Sequence, residues 1–215
     1  MNPYLFGNPE ANHILIQMVD DHDLSWIEQE MSYITSLIDS REYLLVVFKV
    51  EAWNDDLSPW KAPAVFGKED FGGKANKTLS ELMNWMNTFQ KEHSERDFKF
   101  YLGGYSLAGL FALWVSYQIN LFEGIAAVSP SVWFPGFCEY VCEHEILTSN
   151  VYLSLGDKEE KARNPVMAKV GDSIRSIYSV LNQQHISCTL EWNHGNHFKE
   201  PDLRMAKGFA WILNQ

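Results

Sequence analysis

One seven-residue segment, Gly103-Gly104-Tyr105-Ser106-Leu107-Ala108-Gly109, constrains the fold more than any other part of the chain. The run Asp97 to Leu102 reads as a short strand and leads straight into its two glycines. Residues 107 to 119 follow with Leu107, Leu110, Phe111 and Trp114 at helical spacing. A chain that passes from strand to helix in so few residues must turn sharply. Small residues two before and two after Ser106 let the strand and helix approach closely, and the serine between them sits on a strained backbone with its hydroxyl exposed. A Gly-x-Ser-x-small pattern alone arises by chance in about one chain of this length in seven. The surrounding elements must therefore decide its meaning.

Those elements alternate. His13 to Val19 and Tyr43 to Val50 are apolar runs with the length of buried strands. Between them, residues 23 to 39 place Ile27, Met31, Ile34 and Ile38 on one helical face, with Ser25 and Glu28 spaced as a capping box. A second capping box, Thr78-Leu79-Ser80-Glu81, opens a helix carrying Leu82, Met83 and Met86. Gly124 to Val128, Val151 to Leu155 and Ser187 to Trp192 are three more strands, and a helix over about 165 to 183 separates the last two. A helix from Pro201, a favoured first helical position, to Asn214 closes the chain. Strands alternating with helices imply a mostly parallel sheet covered on both faces, here one domain over residues 1–215. In such sheets the ligand site lies at the carboxyl ends of the strands.

A nucleophilic serine needs a base within hydrogen-bond reach and an acid to orient that base. In this architecture the chain order is serine, acid, histidine. Among the late histidines, His185 precedes the last strand and so faces the wrong end of the sheet. In Asn193-His194-Gly195-Asn196-His197-Phe198 the glycine permits a bend that returns His197 to the site, whereas His194 continues the strand too directly. The acid should follow Val151 to Leu155, where Gly156-Asp157-Lys158-Glu159-Glu160 offers three carboxylates. A turn needs a residue or two before a carboxylate can point back, so Glu159 leads, followed by Asp157 and then Glu160. A Ser-His dyad is the alternative to all three. Backbone N–H donors for an oxyanion are expected from Leu107 and from the loop Val19-Asp20-Asp21-His22, with Asp20 as the candidate there.

The irregular stretch Glu51 to Ala75 is long for a compact domain, and loops of that kind usually serve function. Its Trp53 and Trp60, together with Tyr105 and Trp133, are the candidates for lining a substrate pocket. Hydrophobic residues make up 46% of the 215, enough for a sizeable core, and the formal net charge of −11 argues against nucleic acid as a partner. No apolar run approaches the roughly 20 residues of a membrane span. Neither a signal peptide nor a disulfide framework is legible: the cysteines are three, Cys138, Cys142 and Cys188. A cytoplasmic protein with reduced thiols is the expectation. Cys138, Cys142 and His144 lack a fourth ligand at metal-site spacing, and no phosphate-cradling glycine loop occurs, so no metal or cofactor is expected.

Three segments together carry a family resemblance: Gly104-Tyr105-Ser106-Leu107-Ala108-Gly109, Ser129-Pro130-Ser131-Val132-Trp133 after the next strand, and Gly195-Asn196-His197-Phe198. With them the chain resembles the putative esterase family of α/β-hydrolases, which includes esterase D-like and siderophore-esterase-like enzymes. The resemblance implies a three-layer α/β-hydrolase fold, in a compact version lacking the first strands. It also implies hydrolysis of a small-molecule carboxylic ester or thioester through an acyl-enzyme. A non-catalytic α/β-hydrolase-like binding protein and an acyltransferase using the same serine are the competing readings.

Overall fold

The computed structural model describes residues 2–39 and 41–215. Among these, the strands in chain order are β1 (Tyr4–Gly7), β2 (His13–Val19), β3 (Tyr43–Lys49), β4 (Lys61–Ala62), β5 (Phe71–Gly72), β6 (Lys99–Tyr105), β7 (Phe122–Val128), β8 (Asn150–Gly156) and β9 (Ser187–Asn193). The helices are α1 (Asp21–Leu24), α2 (Ile27–Leu37), α3 (Trp53–Asp56), α4 (Ala75–Glu92), α5 (Leu107–Val115), α6 (Phe137–Glu143), α7 (Val170–Gln183) and α8 (Pro201–Leu213). β4 and β5 pair only with each other, while the remaining strands form one sheet in the order β1-β3-β2-β6-β7-β8-β9. Every pairing in that sheet is parallel except β1 with β3.

The period of two along each strand divides the core. On β2, Ile14, Ile16 and Met18 face one apolar cluster, while Leu15 and Val19 face another. β3 repeats the division, with Leu44, Val46 and Phe48 against Tyr43, Leu45 and Val47. The first cluster takes Leu79, Leu82 and Met86 from α4 and Ile174, Ile177 and Leu181 from α7, together with all of α5 except its glycine. The second takes Ile27 and Ile34 from α2 and Met205, Phe209 and Ile212 from α8. Helices thus cover both faces, because strands apolar on both sides cannot meet water on either.

Strand order locates the crevice. From β2 the chain steps outward through α2 to β3, then crosses back and proceeds the other way through β6, β7, β8 and β9. The reversal falls between neighbouring β2 and β6, which is where a doubly wound sheet opens a crevice at its carboxyl edge. Ser106 follows the last residue of β6 and Asp20 the last residue of β2.

The structure corrects several local expectations. The sheet extends one strand further toward the N-terminus than His13, through the antiparallel edge strand β1, whose Tyr4 and Leu5 remain exposed. β6 continues through both glycines to Tyr105 rather than ending at Leu102. Neither capping box forms. Ser25 Oγ donates to the His22 carbonyl, and the residue capping α2 is Trp26. α4 begins at Ala75, ahead of Thr78, whose hydroxyl donates to the Asp56 carbonyl and so ties the helix to the preceding loop. That loop is not irregular throughout. It holds α3 and the β4–β5 hairpin, and Ser58 Oγ donates to the Asn54 carbonyl while accepting from Gly73 N–H.

Candidate active site

Ser106 stands between β6 and α5 with φ 57° and ψ −120°. A positive φ in a non-glycine residue costs on the order of 1–3 kcal/mol and persists only where the surroundings enforce it. Here both sides enforce it: Ser106 N–H donates to the Val128 carbonyl at 3.1 Å, and its carbonyl accepts from Ser131 N–H at 3.0 Å. Gly104 must be glycine, because a Cβ there would strike the backbone of Ala108. As the first helical residue, Leu107 has an N–H with no intrahelical acceptor.

His197 reaches back from the β9–α8 loop. Its Nε2 lies 3.0 Å from Ser106 Oγ and its Nδ1 lies 2.8 Å from Glu159 Oε2. A carboxylate accepts only, so Nδ1 carries the proton and Nε2 is left to accept the serine hydroxyl. The bend needed to place the ring falls at Gly195, φ +112°. Of the three carboxylates after β8, Glu159 is the one that meets His197. Asp157 instead accepts from Gly195 N–H at 2.8 Å and pairs with His194 at 3.2 Å, while Glu160 pairs with Arg175 at 2.7 Å. Asp157 thus holds the histidine loop by its backbone, and the Gly195 N–H keeps its carboxyl below the usual range.

Glu159 is buried yet fully partnered. Its Oε1 accepts from Ser129 Oγ and Gly156 N–H, both at 2.7 Å, and from Arg204 Nη1 at 3.2 Å. Burial alone would raise its carboxyl, but the hydrogen bond and charge of His197, with the Gly156 and Ser129 donors, outweigh burial and hold it below the usual range. Arg204, only 2% exposed, was not expected from the sequence. Its second terminal nitrogen donates to the carbonyls of His194 and Asn196, so one guanidinium grips both Glu159 and the loop that carries His197. The sequence does hold a signal for it: Arg204, Gly208 and Ile212 share one stripe of α8, and a charge on such a stripe needs a buried partner.

The Ser-Pro-Ser-x-Trp segment spreads over the same site. Ser129, itself at φ 42°, orients Glu159; Ser131 braces Ser106, with its hydroxyl 3.4 Å from Ser106 Oγ; Trp133 walls the cleft beyond. That cleft measures about 470 Å³, and His197, Met167, Lys158 and Phe198 also line it.

Three of the four pocket candidates lie elsewhere. Trp60 donates from Nε1 to the Pro135 carbonyl at 2.9 Å and packs on Phe134 and Tyr140, so it pins the loop rather than lining the cleft. Trp53 borders a separate depression with Asn54 and Glu69. Tyr105, at the buried end of β6, stands behind the histidine and donates to the His197 carbonyl at 2.6 Å; burial pushes its phenol up to about 12. The 51–75 loop instead supports the cleft from outside: Phe66 and Phe71 pack on Trp133, and the Val65 carbonyl accepts from Asn164. Asp20 caps α1 by accepting from Asp23 N–H at 2.8 Å.

No protein-family model and no curated protein matches the sequence. Solved structures do match the fold. An IroE-like serine hydrolase from Shewanella oneidensis superposes with a TM-score of 0.73, at 14% identity over 96% of this chain and 73% of that one. The siderophore hydrolase EstA from Aspergillus nidulans gives 0.69, at 18% identity over 95% and 82%. A Bacillus cereus carboxylesterase gives 0.61, at 12% identity over 99% and 93%. The chain therefore has the α/β-hydrolase fold, in the form it shares with these serine hydrolase and esterase structures.

Proposed function

We propose that the chain is a serine hydrolase that cleaves small-molecule carboxylic esters or thioesters, with Ser106 as nucleophile, His197 as base and Glu159 as the orienting acid. The observation that carries this reading is the unbroken chain of contacts from Ser106 Oγ through the His197 ring to Glu159, on a serine held at positive φ. Ser106 Oγ attacks the carbonyl carbon while its proton passes to His197 Nε2. The imidazolium that forms is stabilised by Glu159. The carbonyl oxygen becomes an oxyanion, for which the N–H groups of Leu107 and Asp20 are the proposed donors. Collapse breaks the ester bond, and the leaving alcohol or thiol takes the proton from His197. Water then attacks the acyl-enzyme by the same route, returning the acid and free Ser106. Arg204 acts through Glu159 and the 194–196 backbone, as a positioning residue.

Unpaired Cys138, Cys142 and Cys188 favour a reducing compartment, and the cytoplasm is the proposed place of action. Among the described residues, no helix is long and apolar enough to cross a membrane. Hydrolysis of p-nitrophenyl esters tests the reading. Ser106→Ala and His197→Ala should each lose about 10⁴-fold or more in kcat without unfolding. Wild-type turnover no faster than that of Ser106→Ala would overturn it.

A further inference from the structure

The segment after β8, Asp157-Lys158-Glu159-Glu160-Lys161, sorts its charges by direction. Two carboxylates are engaged by groups outside the cleft lining, Asp157 by Gly195 and His194 and Glu160 by Arg175, while Glu159 is bonded by His197, Ser129, Gly156 and Arg204. The two lysines line the cleft, and among the described residues neither forms an ion pair. Glu159 is the one carboxylate in that lining, and its charge is answered from behind by Arg204. The rest of the wall is largely apolar, with Trp133, Ala162, Met167, Val170 and an 84% exposed Phe198. A chain of net charge −11 thus presents, at its candidate active site, a cleft lined by two lysines without an ion-pair partner among the described residues, although the charge of Lys158 also acts on neighbouring Asp157. Local potential rather than net charge governs which substrates a cleft concentrates.

We propose that this cleft selects esters whose apolar portion carries an anionic group, a carboxylate, held by Lys158 and Lys161. The inference rests on the hydrolase reading of Ser106. The aromatic and aliphatic wall takes the apolar portion, and its 470 Å³ lies within the usual range for a small-molecule site. Two flexible ammonium groups suit a carboxylate whose position varies with the substrate, where a guanidinium fork would demand one geometry.

Matched pairs of esters test the proposal. One pair is the p-nitrophenyl monoester of glutaric acid against its methyl ester, which is neutral. The other carries the charge on the leaving side: the acetyl ester of 4-hydroxybenzoate against that of its methyl ester. In at least one pair, kcat/KM should favour the anionic member about tenfold at low salt, the scale of two partly exposed charge pairs acting together. The preference should shrink toward unity at 1 M salt, where the Debye length is about 3 Å, and in the double variant K158Q/K161Q. Both lysines are exposed, so the variant is expected to fold. No preference in either pair, or one that survives K158Q/K161Q, overturns the proposal. Binding of the same pairs to Ser106→Ala, read by calorimetry, gives the same ratio without turnover. Lysine-dependent selective binding with no wild-type hydrolysis would defeat the hydrolase reading alone; equal hydrolysis of both members would defeat the anionic selectivity alone.

Discussion

Glu159 and Glu30 are both buried, at 7% and 4% exposure, and their surroundings treat them in opposite ways. Glu159 is met by His197, Ser129, Gly156 and Arg204, and its carboxyl is held below the usual range. Glu30, on α2 beside α8, has one hydrogen-bond donor among the described residues, Gln17 Nε2 at 3.2 Å, and its Oε1 has no partner among them. Burial pushes it up to about 8, helped by the nearby charges of Asp23 and Asp202. Depth does not separate the two. The number of donors does, because only donors replace the water that an ionised carboxylate loses. A carboxylate that must stay charged beside a histidine needs the first environment, and it stands where the ends of β7 and β8, the β9–α8 loop and α8 can each supply part of it.

The sharpest way to break the comparison is to neutralise each glutamate in turn. Glu159→Gln keeps an acceptor oxygen but turns an N–H₂ donor toward His197 Nδ1–H, which disfavours the productive tautomer. Ester hydrolysis should fall about 10²–10⁴-fold in kcat, while Glu30→Gln should leave it within about twofold. Equal losses would mean that both act only through stability. A smaller effect is expected from Arg204→Lys, which keeps the charge but not the fork spanning Glu159 and the 194–196 backbone. It should cost about 10–100-fold in kcat through misplacement of His197, with a lower melting temperature. An unchanged rate would show that Ser129 and Gly156 hold Glu159 without the guanidinium.

The smallest effect concerns Glu30 and pH. Its folded-state pKa of about 8 lies above the unfolded 4.5, so the folded chain binds more protons between those values. Stability should therefore decline as pH rises from about 5 to about 8. Urea midpoints across that range should slope less in Glu30→Gln than in wild type. Asp23, raised to about 6 by burial, contributes to the lower part of the slope in both proteins. Identical slopes would remove Glu30 from the comparison.

The same contrast explains what could be read in the sequence. The inner strands were legible because β2, apart from His13 and Gln17, and β3, up to Lys49, are apolar runs, whereas β1 is four residues at an edge and too short to show a period. Counting residues through a turn ranks Glu159 ahead of Asp157 and favours His197 over His194, since both choices depend on local chain geometry. Tryptophans in a long loop suggest a pocket, but the contacts of these two are tertiary: Trp53 packs against the first apolar cluster and Trp60 on the 134–140 segment. Helix starts shifted for a similar reason: Thr78 bonds to the loop carbonyl of Asp56, an acceptor that no local pattern announces. Arg204 needed the whole site before its role was visible, because its partners come from four separate segments of the chain.

Covalent labelling by a fluorophosphonate, read by intact mass, tests the nucleophile most directly. Wild type should gain one adduct, mapping to Ser106. Ser106→Ala should gain none, Glu159→Gln should label at a small fraction of the wild-type rate, and Glu30→Gln should label at close to that rate. A folded wild-type protein that takes no label, or a Ser106→Ala variant that labels equally fast, would contradict Ser106 as the nucleophile.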